Sequence, residues 1–244
     1  TRRRLAAIDE LQEKISELTH KLNYAYQANN QSLINQVFTQ HGFSLTNSQV
    51  SLFTIYWENL KLWNSKINLT SIRDDHEIIM KHFLDSVAVL NYFVVQENGL
   101  VVDIGSGAGF PGIPIKILRP NLDLTLVESV SKKASFLKFL KTRLELENTK
   151  IINLRAEEIV KLGQHRKNYD LVLTRYIASI EDSIDYCLPL LKPSGNWVAF
   201  KSGNVQDEIC SAAKKLKSVN AKIQSIINND TPSLNRMYVM IKQN

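Results

Sequence analysis

Hydrophobic residues in the first part of the chain recur at intervals of three and four: Leu5, Ile8, Leu11, Ile15, Leu18, Leu22 and Ala25. That spacing draws one apolar stripe along a long helix. Three heptads are marginal for an autonomous coiled coil, so the stripe reads first as a face docked on its own domain. Pairing with a second copy is the alternative. Asn29-Asn30-Gln31 interrupts the pattern, and a second short helix is expected around 33–38, ended by His41-Gly42-Phe43. Thr46 or Asn47 can cap the next helix, which runs to about Trp63 and carries Val50, Phe53, Ile55, Trp57 and Leu60. The segment 64–70 reads as a connector. Asp74-Asp75 then opens a helix, where acids suit the positive end of the dipole, and apolar spacing continues to Tyr92.

After the turn Gln96-Glu97-Asn98-Gly99 the pattern changes to short apolar runs alternating with helical stretches. This is the signature of a parallel sheet wrapped by helices. Strands are expected at 100–104, 123–128, 150–154, 169–174 and 195–201, with helices near 111–119, 131–146, 156–161, 179–190 and 205–218. Lys192-Pro193-Ser194-Gly195 reads as a turn into the fifth strand. Residues 221–227 and 237–241 read as two last strands joined by an Asn/Asp/Pro loop and paired antiparallel at one sheet edge. The expected fold is therefore α/β, a mostly parallel seven-stranded sheet with an antiparallel edge. Three regions are expected: a helical extension at 1–44, a helical cap at 45–98 and the sheet domain at 99–244.

Charge and cysteine content narrow the picture only a little. Thirty basic against twenty-four acidic residues give a net charge of +6, which favours a polyanionic partner. Cys187 and Cys210 are the only cysteines, and no Cys/His cluster has metal-ligand spacing, so neither a disulfide framework nor a metal site is expected. A reducing cytoplasm fits. The longest apolar run, Val87 to Val95, is broken by Asn91 and too short for a membrane span. Thr1-Arg2-Arg3-Arg4 is basic but leads into no apolar core, so it does not read as a secretory signal, and the missing initiator methionine suggests a trimmed chain or a fragment.

Candidate chemistry concentrates in Leu100 to Gly112, where an apolar run meets Asp103 and a loop with glycines at 105, 107, 109 and 112. Glycines let the backbone turn tightly and approach a ligand. A dinucleotide fingerprint started at Gly105 would need glycine where Phe110 stands, and no Gly-Lys-Ser/Thr follows to make a P-loop. The second strand ends in Glu128-Ser129, placing a carboxylate where it can accept both ribose hydroxyls of an adenosine. Arg155-Ala156-Glu157-Glu158 follows the third strand, where an adenine edge would lie. Together these suggest S-adenosylmethionine, with Asp103 facing its cationic side.

An ordered set of segments then resembles one family. They are Asn68-Leu69-Thr70, Arg73-Asp74, His82-Phe83-Leu84-Asp85-Ser86, the stretch Asp103 to Pro114, Arg119-Pro120, Glu128-Ser129 with Lys132-Lys133, Arg155 to Glu158, and Arg175 with Ala178-Ser179. Across roughly residues 48–243 the chain resembles the bacterial 16S ribosomal RNA guanine-N7 methyltransferase G family, also called glucose-inhibited division protein B. The resemblance implies a Rossmann-like methyltransferase fold. It also implies an S-adenosyl-L-methionine site at Gly105, Phe110, Ala156, Glu157 and Arg175, with Glu128 at the ribose; Asp103, Gly107, Gly109 and Ser129 complete the candidate set. The implied acceptor is one guanine of small-subunit RNA, met as 16S RNA or an assembly particle, by a monomer or by a homo-oligomer formed through the front helix. That helix has no counterpart in the resemblance, and Glu128 stands where many relatives carry aspartate.

Guanine N7 has an in-plane lone pair and no proton, so its methylation needs no general base; positioning and desolvation suffice. Arg155 and Arg175 are the candidates for positioning the base or a neighbouring phosphate, against the plain alternative of surface ion pairs. Lys132 and Lys133 are candidate phosphate contacts, and Asn68 and His82 complete the RNA candidates. His82 and Asp85 share a helix face, but a structural pairing outweighs a catalytic one. Two other readings stay open: a methyltransferase for a different substrate, and a non-catalytic RNA-binding assembly factor.

Overall fold

The computed structural model describes residues 2–229, 231 and 234–243. Two compact units divide the chain, Thr1–Thr54 and Ile55–Asn244.

In the first unit, α1 (Arg2–Gln40) runs without a break through Asn29-Asn30-Gln31. The expected interruption fails because asparagine lowers helix propensity by only roughly 0.7 kcal/mol, and Asn30 is itself buried beside the apolar Ile34, Val37 and Phe38. Gly42, at φ +80°, ends the helical run instead. Phe38 and Phe53 bring their rings to 4.9 Å, forming this unit's small core. The front of the helix contradicts the docked reading of the stripe: Leu11, Ile15, Leu18 and Leu22 are all exposed. With no break, the front half has no bend by which to fold back over the rear half. The side chains of Leu5 and Ile8 lie outside the described residues. Thr46 caps α2 (Asn47–Asn64) reciprocally, its Oγ1 accepting from the Gln49 N–H while the Gln49 side chain accepts from the Thr46 N–H.

In the second unit the expected single helix up to Tyr92 is instead a composite. It comprises α3 (Asp75–Ile78), a π turn (Ile79–Leu84), α4 (Asp85–Ala88) and a 3₁₀ turn (Val89–Asn91). Asp74 caps it, accepting from the Glu77 N–H as the acidic start predicts. The π turn widens the spiral, and Ile79, Met80, Phe83 and Leu84 form its buried face.

The sheet then follows the predicted pattern. Its strands are β1 (Leu100–Ile104), β2 (Asp123–Val127), β3 (Thr149–Ile152), β4 (Tyr169–Arg175), β5 (Leu191–Ser202), β6 (Ala221–Asn228) and β7 (Arg236–Gln243), in the order β3-β2-β1-β4-β5-β7-β6. The first five are parallel, and β7 runs antiparallel between β5 and β6. The intervening helices are α5 (Gly112–Leu118), α6 (Ser131–Arg143), α7 (Ala156–Ile159), α8 (Ile180–Cys187) and α9 (Gln206–Ser218). Burial on both faces makes β1 and β4 near-continuous apolar runs, as parallel strands require. One face packs Val102, Val172, Trp197 and Ala199 against Ile180, Ile184 and Cys187. Cys187 is thus a core residue.

The predicted turn at Lys192–Gly195 lies inside β5. Tyr169 pairs with Leu191 and Leu171 with Asn196, so one residue on β4, Asp170, faces four on β5, Lys192–Gly195, and the excess bulges outward. Pro193 sits in this bulge, exposed, where its missing N–H breaks no ladder bond. The β6–β7 connection, read as an Asn/Asp/Pro loop, includes Asp230, Pro232 and Ser233, which lie outside the described residues.

Candidate functional site

Where β1 ends, its polar groups are all turned to building a loop. Gly105 and Ser106 donate their N–H groups to the Val127 carbonyl at 2.9 and 3.0 Å, fastening the loop to the tip of β2. Gly107 donates to Glu128 Oε2 at 2.8 Å, and Val130 donates to Glu128 Oε1 at 2.7 Å. Glu128 therefore clamps the loop to the start of α6, and each oxygen keeps a second lone pair for another donor. Asn153 holds the same tip by donating to the carbonyls of Glu128 and Ser129 at 2.7 and 3.0 Å.

Two glycines are needed for different reasons. At Gly105, φ is +72° and a Cβ would stand 2.1 Å from Ile177 Cγ2, so the first loop position after β1 admits nothing larger. At Gly107, φ is +58° but a Cβ would meet nothing closer than 3.9 Å. Space lies open beside the middle of the loop. Asp103 sits underneath, fully buried, accepting from the Gly112 N–H at 2.9 Å through Oδ2. Its Oδ1 has no partner among the described residues. Burial, against the Gly112 hydrogen bond, lifts this carboxyl to about 7.

Beyond the loop opens a cleft of about 370 Å³ at the carboxyl ends of the parallel strands, lined among others by Gly105, Ser129, Arg155, Ala156, Glu157 and Tyr186. A larger hollow of about 570 Å³ lies among Phe93, Val94, Arg119 and Pro120, at the opposite ends of β1 and β2. Open parallel sheets take ligands at the carboxyl ends of their strands, which favours the smaller cleft.

The remaining predicted residues lie beside the cleft or away from it. Phe110 is buried behind the loop, stacked between Tyr56 at 5.3 Å and His82 at 4.6 Å, and Tyr56 donates to the Ala108 carbonyl at 2.6 Å. His82 shares a 2.7 Å hydrogen bond with Thr70 rather than meeting Asp85, and burial lowers its pKa to about 3. Arg175 does not line the cleft. Its guanidinium meets Asp85 at 2.7 Å and also donates to the Lys81 carbonyl, and burial pushes its pKa down. Arg155 is exposed at the cleft rim and Lys132 is exposed on the first turn of α6, with Lys133 half-buried beside it. Asn68 is exposed on the connector before α3. Gly109, at φ +104°, packs against Tyr56 and Ile113.

Sequence reading missed several members of this neighbourhood. Asp85 accepts from Arg236 Nε and Nη2, both at 2.8 Å, as well as pairing with Arg175. Tyr176 caps that cluster, and Tyr186 lines the cleft. No local signal could join Asp85 to Arg236, which lie 151 residues apart. Among the described residues no group of His, Cys, Asp and Glu is placed to hold a metal ion, and no helix is long and apolar enough to cross a membrane.

The family model for GidB, described as rRNA small subunit methyltransferase G, matches residues 49–236, the whole of this loop and cleft included. The chain belongs to the GidB family. Among its relatives is the ribosomal RNA small subunit methyltransferase G of Clostridium kluyveri, 36% identical over 202 residues, which are 83% of this chain and 85% of that protein. The protein of the same name from Bacillus licheniformis is 40% identical over 185 residues, 76% of this chain and 77% of that one. Solved structures agree on the fold. A SAM dependent methyltransferase from Aquifex aeolicus superposes with a TM-score of 0.53 at 14% identity, covering 69% of this chain and 93% of that one. TYW2 of M. jannaschii in complex with AdoMet gives 0.51 at 16% identity over 72% and 77%. The α/β methyltransferase architecture and the family are thus both as expected from the sequence. The long front of α1 precedes the matched segment, as the resemblance also left it.

Proposed function

We propose that this chain methylates N7 of one guanine in small-subunit 16S ribosomal RNA, with S-adenosyl-L-methionine as methyl donor. The observation that carries the reading is the glycine loop opening onto a cleft at the carboxyl ends of the strands, inside the segment that matches the GidB family. The residues present fit the cofactor. Gly107 leaves space with no neighbouring atom closer than 3.9 Å to a Cβ placed there, Glu128 retains acceptor capacity at the tip of β2, and Asp103 keeps one oxygen unpartnered among the described residues beneath the loop.

When bound, the cofactor supplies a methyl group carried on a cationic sulfur. Glu128 would hold the ribose, Gly105 and Gly107 the backbone approach, and Ala156 and Glu157 the adenine edge. Guanine N7 carries no proton, so no side chain has to remove one; the chain's work is orientation and exclusion of water. Arg155, exposed at the rim, is placed to donate to the guanine O6 or a nearby phosphate. Arg175 acts from behind, fixing the end of β4. Lys132 and Lys133 are the phosphate contacts, and Asn68 and His82 border the acceptor side. The RNA would be met in the cytoplasm, free or in an assembling small subunit.

Labelled methyl transfer to 16S RNA that lacks the modification tests this. One labelled guanine, at N7, is expected. Gly107→Val should keep the fold and lose both cofactor binding and transfer, because its side chain fills the open space and adds strain at φ +58°. Absence of transfer, or label on another base or substrate, overturns the reading.

A further inference from the structure

Tyr176 follows β4 directly and breaks two habits of its residue type. It is a bulky side chain held at φ +55°, and its residue is 67% exposed. Left-handed backbone at a bulky non-glycine residue costs energy and persists only where the surroundings enforce it. Among the described residues the other non-glycine positions with positive φ are Asn, Glu or Lys.

What enforces Tyr176 is a cationic bed. The Arg236 guanidinium carbon lies 4.6 Å from its ring centroid and that of Arg175 lies 5.4 Å away. Arg236 Nη2 donates to the phenol oxygen at 2.5 Å. Both guanidiniums bind one carboxylate, Asp85, so they lie together beside the ring. Most of the residue's surface is left to solvent. Two arginines against one aspartate also leave the cluster with an excess positive charge, suited to a polyanion.

Its position faces the proposed chemistry. The Arg175 guanidinium lies 5.8 Å from the Phe110 centroid, so a single side chain separates Tyr176 from the aromatic of the glycine loop. The next residue, Ile177, is the one that closes on Gly105, and Ile177 and Ala178 both line the cleft.

We propose that Tyr176 is the platform on which the acceptor base stacks, a positioning and specificity residue for the transfer proposed above. Nucleobases removed from helical stacking are commonly received on aromatic side chains. A rigid ring one residue from the cleft-lining Ile177 fixes the plane of the base, and with it the in-plane lone pair of N7. The bed of arginines holds the ring still; the exposed face takes the base.

The inference rests on the reading of the chain as a guanine methyltransferase, and the experiment separates the two. Wild type, Tyr176→Phe, Tyr176→Ala and Tyr176→Gly are compared for methyl transfer to unmodified 16S RNA, for cofactor affinity and for Tm. Loss of base–aromatic stacking lowers kcat/KM for RNA by about five- to a hundred-fold, which is expected for the Ala and Gly variants, with cofactor affinity unchanged. Phe keeps the ring and should stay within about three-fold of wild type. Gly relieves the left-handed backbone, so a Tm at or above that of Ala combined with the same loss of activity separates stacking from strain. Three results overturn the inference: Ala as active as wild type, Phe as impaired as Ala, or cofactor affinity falling in parallel with activity. If wild type itself transfers no methyl to the RNA, the parent reading fails and this one with it.

Discussion

Asp103 carries two duties on one carboxyl group. Oδ2 fixes the start of α5 by accepting from the Gly112 N–H, while Oδ1 stays buried and unpaired among the described residues. Its folded pKa is raised from 3.8 to about 7, chiefly by burial. A raised carboxyl favours folding fully below 3.8, and that contribution is lost as pH climbs through about 7. Asp103→Asn, which cannot ionise, should therefore match wild type near pH 4 and gain a few degrees in Tm on it by pH 8. Thermal melts at the two pH values check this, and a difference that is flat or reversed shows that the carboxylate is not held neutral. The acid before the glycines was plain in the sequence. That it would grip a backbone N–H nine residues on was not, because the grip depends on how the loop turns back. Glu128 makes the same point: its place at the tip of β2 was legible, its clamp on Gly107 and Val130 was not.

Elements were legible wherever a single period held over several residues. β1 appears at the expected 100–104, and the other strands shift by a few residues at their ends. Failures came where packing overrode the period. A π turn and a 3₁₀ turn interrupt what reads as one helix up to Tyr92, and the β5 bulge absorbs Lys192–Gly195 without ending the strand. Asn30 illustrates the converse, a polar residue that reads as a break and instead sits in the small core of the first unit. The composite helix from α3 to the 3₁₀ turn is fastened to β4 and β7 through Asp85, whose partners Arg175 and Arg236 are both buried. Asp85→Ala would leave two guanidiniums buried without their anion, a change that costs about 3–5 kcal/mol. A urea titration should show a clearly lowered midpoint, with cofactor affinity measured under native conditions little altered. A midpoint within error of wild type would mean that water or rearrangement satisfies both arginines.

At the scale of the whole molecule, the excess of six positive charges says only that a polyanion suits the chain. The fold gives part of that charge a location, with Lys132 exposed and Lys133 beside it on the first turn of α6, which starts two residues beyond the cleft-lining Ser129. Replacing both with Ala should weaken RNA binding and reduce the slope of log K against log salt by up to about 1.5; an unchanged slope would mark both as solvated side chains only. The parallel sheet and its antiparallel edge were readable from alternation alone, because each strand carries its own pattern. The order of the last three strands was not, since β7 enters between β5 and β6. That insertion sets a timetable. For a chain emerging from a ribosome, β5 keeps a bare edge until residues 236–243 arrive, and an unpaired edge of this kind invites pairing with other chains. Arg236 arrives on the same strand, so closure of the sheet and completion of the arginine bed under Tyr176 are one event. A nascent chain therefore gains its base platform only with the strand that also makes it safe from its neighbours.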